Sequence, residues 1–216
     1  PDHRDPWDLQ FYYLAVQWHR DWLIGSVGHY RVEGGQQTQD LCLCFSRDGK
    51  RWERPLRGGF IPRPPRESGA TDSMGIYAPT TWIDRGNRWL LLYTGTPDAH
   101  NEGGKRSQAM GATCAKHRFV GLAADSVRGG FMTAPFVATS PQLTLDAEID
   151  GWLRAELCDG FGRKLDGHHL MDALPIEGDD EHHVLRWKEQ PTDLHRYECL
   201  RLRFEFRQGT VYGVDF

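Results

Sequence analysis

A polar loop after the apolar run at residues 90–93 combines side chains that could recognise a ligand. It contains Asp98, His100 and Glu102 in close spacing. Carboxylate oxygens of this kind suit Ca²⁺, which prefers oxygen ligands, and the imidazole of His100 could donate a hydrogen bond to a sugar hydroxyl. A solvated polar loop is the alternative for Asp98 and Glu102. His100 is therefore the substrate-binding candidate here, and Ca²⁺ is the only cofactor that the sequence leaves open.

Histidine pairs and cysteines are the other residues with metal chemistry. Histidines stand at 168–169 and 182–183, but adjacent strand residues point to opposite faces, so neither pair can chelate a metal with both rings. The five cysteines show no CxxC spacing and their number is odd, which indicates neither a zinc site nor a complete disulfide framework. Cys42 and Cys44 alternate with leucines, which predicts buried reduced thiols.

Composition restricts the classes of partner. The 216 residues carry a formal net charge of −4 without a Lys/Arg block, so a nucleic-acid partner is not expected. No stretch approaches the roughly 18 apolar residues of a membrane span, so no membrane partner is expected either. The chain starts at Pro1 without a signal-like segment. We expect a missing N-terminal portion, and the compartment stays open, with secretion or a periplasmic location compatible with the full-length protein.

Short β-type runs separated by Gly, Pro, Asp and Asn dominate the chain and predict an all-β fold. Runs at 11–18 and 21–30 meet at a tight turn, and a third follows at 39–46. The runs at 76–82 and 88–93 are joined by a turn at 84–87, and those at 110–114 and 117–123 follow. Strand clusters that recur at this spacing are typical of propeller blades.

The pattern changes near residues 125–130. Runs follow at 131–137, 142–149, 151–158, 168–173, 183–188, 199–206 and 210–216. At 200–207 apolar and charged residues alternate, which predicts a strand with one buried face. About seven such strands in this length fit a two-sheet sandwich. We therefore expect partial β-propeller blades at 1–127 and a jelly-roll-like β-sandwich at 128–216.

One turn has a specific chemistry. In the segment SRDGKRW at 46–52, Ser46 and Asp48 can hydrogen-bond the backbone of a hairpin turn, Gly49 tolerates positive φ, and Trp52 can pack beneath. The pattern resembles the Asp-box turn of propeller enzymes, and its expected role is structural.

These segments together resemble a known group of enzymes. The likeness is carried by SRDGKRWERP (46–55), GIYAPTTWIDRGNRWLLLYTGT (75–96), FVGLAADSVRGGFMTAP (119–135), GWLRAELCDGFGRKLDG (151–167), VLRWK (184–188) and residues 200–216. They resemble the C-terminal part of five-bladed-propeller glycoside hydrolases, the broad group of invertases, levanases, arabinanases and β-xylosidases. The closest likeness is to invertase-like proteins in which a sandwich follows the propeller.

The resemblance implies a funnel with three carboxylates, because glycoside cleavage requires one carboxyl as acid and another as nucleophile or base. In invertases the nucleophile lies in the first blade, and its Asn-Asp-Pro-Asn-like motif is absent from this sequence. HRDP at 3–6 resembles the Arg-Asp-Pro motif of the stabilising carboxylate, so Asp5 is one catalytic candidate; a chance match is the alternative. The loop at 66–77 offers Glu67 and Asp72, of which Asp72 is the better acid candidate; surface loop carboxylates are the alternative. Glu198-Cys199 lies in the sandwich and is rejected as the acid.

Three functional hypotheses follow. The first is a glycoside hydrolase fragment that acts on oligo- or polysaccharides and lacks the nucleophile. The second is a non-catalytic carbohydrate-binding module, with Trp152 or Trp187 as a stacking platform. The third is a purely structural sandwich. A half propeller would expose blade edges, so oligomerisation or pairing with missing N-terminal blades is also expected.

Overall fold

The fold is all-β. A computed structural model describes residues 1–77, 81–189 and 193–216, and its two sheets, one of them curled into a half-barrel, confirm the predicted class. The helical elements in these residues are single 3-10 turns at Arg66–Ser68 and Leu194–Arg196. None of the described helices is long and apolar enough to span a membrane.

The chain divides into two compact units, Pro1–Lys116 and His117–Phe216. The first holds a seven-stranded sheet in the order β1-β2-β3-β4-β6-β5, with β7 also paired to β6. Its strands are β1 (Gln10–His19), β2 (Trp22–Glu33), β3 (Gln36–Ser46), β4 (Gly75–Tyr77), β5 (Ile83–Asp84), β6 (Arg88–Thr96) and β7 (Gln108–Ala115). Within the described residues of this unit, all pairings are antiparallel except the parallel contact Gln39↔Gly75 between β3 and β4.

The second unit holds a five-stranded antiparallel sheet in the order β11-β10-β12-β8, with β9 also paired to β12. Its strands are β8 (Leu122–Ala124), β9 (Gly129–Met132), β10 (Thr144–Asp159), β11 (Ile176–Val184) and β12 (Leu200–Asp215). The predicted alternation holds, because Leu200, Leu202, Phe204 and Phe206 are all buried. The propeller, the sandwich and the boundary at 127/128 stay predictions.

Two glycines explain a difference between the predicted and the observed strands. The runs predicted at 142–149 and 151–158 form one strand, β10, and those at 199–206 and 210–216 form β12. Gly151 and Gly209 lie where the β10–β12 register shifts. A Cβ on Gly151 would lie 2.3 Å from the Arg207 carbonyl oxygen, and one on Gly209 would lie 2.8 Å from that of Glu148. These glycines therefore permit a bulge inside a long strand and do not end it.

Other predicted strands are shorter or displaced. The run at 117–123 is reduced to β8. The run at 131–137 shares only residues 131 and 132 with β9, and the run at 183–188 shares only residues 183 and 184 with β11. Residues 168–173 turn instead of extending, with the Asp172 and Ala173 N–H groups donating to the His169 carbonyl. The run at 76–82 includes residues 78–80, which lie outside the described residues.

The Ser46–Trp52 turn has the predicted hydrogen bonds. The buried Ser46 Oγ accepts from the backbone N–H groups of Asp48 (3.3 Å) and Gly49 (2.9 Å). Asp48 Oδ1 accepts from the N–H groups of Lys50 and Arg51, both at 2.8 Å. Gly49 has φ 71°, and the Trp52 indole N–H donates to its carbonyl. The turn therefore closes the end of β3 through side-chain acceptors.

We expect Ser46→Ala to destabilise the chain by about 1–2 kcal/mol, because it leaves the Gly49 N–H without its buried acceptor. Urea unfolding followed by tryptophan fluorescence measures this change. Ser107→Ala is the control, because Ser107 is exposed and its replacement should stay within about 0.5 kcal/mol. Equal midpoints for the two variants would contradict the structural role of the turn.

Candidate functional site

His100 lies at the centre of a group of aromatic rings in the first unit. Its backbone N–H donates to the Gln37 carbonyl at 2.7 Å, which fixes the loop after β6 against the start of β3. Its Nδ1 lies 2.7 Å from the Tyr77 hydroxyl. His100 is half-buried. The substrate-binding candidate of the polar loop is thus held in place by both its backbone and its ring.

Three tyrosines surround this imidazole, and together with it they form the aromatic cluster (Tyr12, Tyr30, Tyr77 and His100). The ring centroids of Tyr12 and Tyr30 lie 5.2 and 5.5 Å from that of His100, both edge-on. The Tyr77 ring is tilted at 6.1 Å, and Tyr12 and Tyr30 stack at 6.1 Å. Tyr12 is 55% exposed, so the cluster is open to solvent on one side.

Strand pairing assembles the cluster from distant parts of the chain. Tyr12 lies in the β1 bulge, where the β1–β2 register shifts between Phe11 and Leu14. Tyr30 is on β2, Tyr77 ends β4, and His100 follows β6. The parallel contact of β3 with β4 brings the last two segments beside the first two. The cluster therefore depends on the register of the whole sheet.

Burial shifts the pKa values of His100 and Tyr77. Partial burial, with Lys105 nearby, lowers the pKa of His100, and burial raises the pKa of Tyr77. Near neutral pH both groups are therefore uncharged. When the Tyr77 hydroxyl donates to His100 Nδ1, the single ring proton of the neutral imidazole is on Nε2. No side chain among the described residues accepts from that Nε2, so it can donate to a ligand.

The carboxylates of the polar loop point to other partners. Asp98 is paired with Arg106, with a shortest N–O distance of 2.6 Å. Glu102 accepts from the Ala99 N–H at 3.2 Å and lies 3.8 Å from Arg66. Among the described residues no group of three or more Asp, Glu, His or Cys side chains could hold a metal ion. The described residues of this loop therefore bring no three such side chains together, and His100 is the loop residue that lies among the aromatic rings.

Asp72, the predicted acid, is buried and is held by a tyrosine. The Tyr93 hydroxyl donates to Asp72 Oδ2 at 2.8 Å. Burial and this hydrogen bond raise the pKa of Tyr93 to about 12, so the hydroxyl keeps its proton. Asp72 is therefore a buried carboxyl that already accepts a hydrogen bond from a phenol. Its catalytic role stays a prediction.

The sheet separates Asp72 from the aromatic cluster. Tyr77 pairs with Thr94 and Ile76 pairs with Gly95, and paired residues share a face while neighbours alternate. A Cβ on Gly95 would lie 2.9 Å from the Cβ of Asp72. Asp72 and Tyr93 therefore belong to the face opposite Tyr77. The structure does not bring Asp72 and His100 into one site.

Asp5, the other catalytic candidate, lies in an arginine cluster. Arg54 Nη2 donates to its Oδ2 at 2.5 Å, and Arg57 Nη1 donates to its Oδ1 at 2.9 Å. Its side chain is 3% exposed. The Arg54 guanidinium holds the pKa of Asp5 well below its usual range, despite the opposing effect of burial. The carboxylate is ionised, but both oxygens already have cationic partners.

Glu67, the second substrate-binding candidate, lies in the 3-10 turn Arg66–Ser68 and is exposed. No hydrogen bond or ion pair of its side chain occurs within the described residues. The structure brings Glu67 to neither Asp5 nor His100. Its role in binding is untested and stays a prediction.

Sequence reasoning missed a buried network behind Asp5. His29 Nε2 lies 3.4 Å from Arg54 Nη1, and His29 Nδ1 lies 3.0 Å from Cys42 Sγ. The Cys42 thiol donates to the Gly58 carbonyl at 3.2 Å. The three contacts are consistent if Arg54 donates to His29 Nε2, His29 Nδ1–H donates to Cys42 Sγ, and the Cys42 thiol donates to the Gly58 carbonyl. His29 is neutral in this arrangement.

The pKa values agree with that direction. Burial, aided by Arg54, lowers the pKa of His29 to about 4, and burial raises the pKa of Cys42 to about 12. Because the thiolate is the reactive form, this Cys–His pair is not an activated nucleophile. The alternation of apolar residues around Cys42 predicted a buried reduced thiol, and this is confirmed. Only the β2–β3 register could have revealed its histidine partner.

A cleft of about 440 Å³ lies beside Arg63. Arg63 donates to Asp40 Oδ1 (2.5 Å), Glu33 Oε2 (3.0 Å) and the Ser73 carbonyl (3.1 Å). Both carboxylates thus accept hydrogen bonds from one guanidinium. The arginine stands in the proline-rich segment 61–65, which carried no recognisable signal for these partners.

The second unit does not supply the predicted sugar platform from Trp187. That ring is 2% exposed and its indole N–H donates to the Ala155 carbonyl, so this part of the prediction is wrong. Trp152 is half-buried. His168 Nδ1 and His183 Nε2 lie within hydrogen-bond distance of the Asp166 and Ala147 carbonyls.

Comparisons with protein-family models, with curated proteins and with solved structures give no match for this chain. Among the described residues, the aromatic cluster is the place where several partly exposed rings surround a hydrogen-bond donor that has no partner.

Proposed function

We propose that the chain binds carbohydrate through the aromatic cluster and is part of a propeller-type glycoside hydrolase. The observation that carries the binding proposal is the arrangement around His100, with three tyrosine rings beside one imidazole N–H. Aromatic faces stack on the apolar C–H faces of sugars, and a polar handle orients the hydroxyls. The sequence resemblance to invertase-like enzymes is what supports the hydrolase context.

The geometry supports binding better than catalysis for this chain alone. Glycoside cleavage needs two carboxyl groups flanking the bond, at separations of roughly 5–10 Å. Asp5 is held by two arginines and Asp72 by Tyr93 on the opposite face from Tyr77. We therefore expect no hydrolysis by this polypeptide, with the remaining catalytic groups in missing blades. In this proposal residues 1–127 are the last propeller blades and 128–216 a supporting sandwich.

Tyr12→Ala should weaken oligosaccharide binding about tenfold, because one stacking ring contributes roughly 1 kcal/mol or slightly more. His100→Ala should have a similar effect through loss of the Nε2–H donor. Isothermal titration calorimetry with fructan and arabinan oligosaccharides measures both changes. Phe161→Ala is the matched control, because that ring is 89% exposed and belongs to the second unit.

The outcomes separate the binding and hydrolase parts of the proposal. Equal affinities for wild type, Tyr12→Ala and His100→Ala would contradict binding at the aromatic cluster. Release of reducing sugar by the wild-type chain would contradict the assignment of catalysis to missing blades. No binding of either glycan class by the wild-type chain would refute the carbohydrate-binding proposal for these substrates.

A further inference from the structure

One face of the sheet in the second unit is rich in arginine. Every second residue of β10 from Trp152 to Cys158 lies opposite a charged residue of β12, and paired residues share a face. The β12 residues between them, such as Leu202 and Phe204, are buried on the other face. Six cations and two carboxylates make up the basic face: Arg128, Arg154, Lys164, Arg201, Arg203, Arg207, Glu156 and Glu205.

The charge of the basic face is opposite to that of the other residues. Six cations and two carboxylates give this face a formal charge of +4, whereas the whole chain carries −4, so the other residues together carry −8. In the part of the chain that the structure describes, Arg154, Arg201 and Arg207 form no ion pair. Arg201 donates to the Gly160 and Thr133 carbonyls, which carry no full charge. The basic face therefore suits an anionic ligand.

A cleft of about 340 Å³ lies in the basic face. Arg128 and Arg203 line it, and their side chains are 65% and 43% exposed. Gly129 and Gly130 also line it and contribute no side chains that would fill the space. Ligand pockets in proteins begin at about 300 Å³, so the cleft suits a small group of about the size of one sugar ring.

Glu205 positions the two arginines of this cleft. Its Oε2 accepts from Arg128 Nη1 at 3.0 Å, and its Oε1 accepts from Arg203 Nη2 at 3.4 Å. Arg203 Nη1 lies 3.9 Å from the buried Glu156, which is beyond hydrogen-bond distance. A guanidinium has five N–H donors in a planar fork that matches the two oxygens of a carboxylate. Both arginines therefore keep donors for a ligand carboxylate.

We propose that this cleft binds an acidic oligosaccharide, with a sugar carboxylate held by Arg128 and Arg203. The negative charge of the ligand follows from the charge of the basic face. The choice of a sugar rests on the carbohydrate binding proposed above, and Met132, which lines the cleft and is 42% exposed, offers an apolar contact to the C–H groups of a ring. A much larger anion, such as duplex DNA, would also meet the residues that together carry −8, which favours a short ligand.

Isothermal titration calorimetry with trigalacturonate at low ionic strength tests this proposal. The wild type should bind it, and Arg128→Gln should weaken binding about tenfold, because it removes a charged donor pair from the cleft. Arg47→Gln is the matched control, because Arg47 is 61% exposed and pairs with one carboxylate, Asp21. This variant loses the same charge at another place and should bind like the wild type. The trimethyl ester of trigalacturonate keeps the sugars without their charges and should bind at least about tenfold more weakly than the acid.

Equal affinities for the acid and its ester, or for the wild type and Arg128→Gln, overturn the proposal. Tighter binding of a short DNA duplex than of trigalacturonate overturns it as well. The comparison of acid and ester needs no variant, so it holds even if Arg128→Gln fails to fold by circular dichroism. Tyr12→Ala should bind trigalacturonate like the wild type, which separates this cleft from the aromatic cluster. Binding of neutral oligosaccharides without trigalacturonate would refute this inference alone, and the reverse would refute binding at the aromatic cluster alone.

Discussion

Replacing Arg54 by methionine should destabilise the chain by about 3 kcal/mol. The Arg54–Asp5 pair is almost completely buried, with side chains 9% and 3% exposed. Removal of one partner from a buried pair leaves a charge without compensation, which typically costs about 3–5 kcal/mol. Arg57 still contacts Asp5 Oδ1 at 2.9 Å, so we expect the lower end of that range. Urea unfolding at pH 7 measures the difference.

The double variant tests whether the lost stability comes from the charge. Asp5→Asn in the Arg54→Met background removes the uncompensated carboxylate, so it should recover part of the stability. Arg47→Met is the control, because Arg47 and Asp21 are 61% and 67% exposed and such pairs contribute about 1 kcal/mol or less. Additive effects of Asp5→Asn and Arg54→Met would show that the pair is not coupled.

This pair also explains why the carboxylate at Asp5 could be found from the sequence while its environment could not. The local tetrapeptide at 3–6 identified Asp5 as a candidate. Its partners Arg54 and Arg57 are about fifty residues away in the sequence. The local sequence therefore predicted the carboxylate of Asp5. Its ion pairs with two arginines depend on the fold, which the local sequence does not show.

The aromatic cluster shows the same limit. His100 was predicted as a hydrogen-bond donor from the composition of its loop. Tyr12, Tyr30 and Tyr77 were assigned to strands, where aromatics are common, and nothing local connects them to one site. The β3–β4 contact and the β1 bulge bring them together. The pattern of apolar residues does not show which strands pair, so the sequence alone did not predict that these four residues form one cluster.

The strands were predicted correctly where apolar and polar side chains alternate. They were predicted incorrectly where a glycine lies at a bulge and not at a turn. The alternation at 200–207 predicted the buried face of β12, because periodicity reports burial directly. The sequence separated the runs at 149/151 and 206/210, but Gly151 and Gly209 beside these breaks lie at a bulge where another backbone approaches closely. Both a turn and a bulge require glycine, so composition alone does not distinguish them. The serine–aspartate turn at 46–52 was predictable because its hydrogen bonds are all local.

Acidification from pH 7 to pH 4 should remove about 3 kcal/mol of stability through His29 alone. Its pKa is lowered by burial from 6.5 to about 4 in the folded chain. Between these values the unfolded chain binds a proton that the folded chain does not. The folded state is then disfavoured by about 1.4 kcal/mol per pH unit. The contribution of neutral His29 is therefore complete above pH 6.5 and is lost as the pH falls to 4.

The hydrogen-bond network supplies the structural reason for this loss. A proton on His29 Nε2 would face the Arg54 guanidinium at 3.4 Å and remove the acceptor for its N–H. His29→Gln lacks this titration, so the stability difference between wild type and variant should shrink by about 3 kcal/mol from pH 7 to pH 4. His182→Gln, at an exposed histidine of β11, should follow the wild-type profile. Parallel pH profiles for wild type and His29→Gln would show that folding does not lower the pKa of His29.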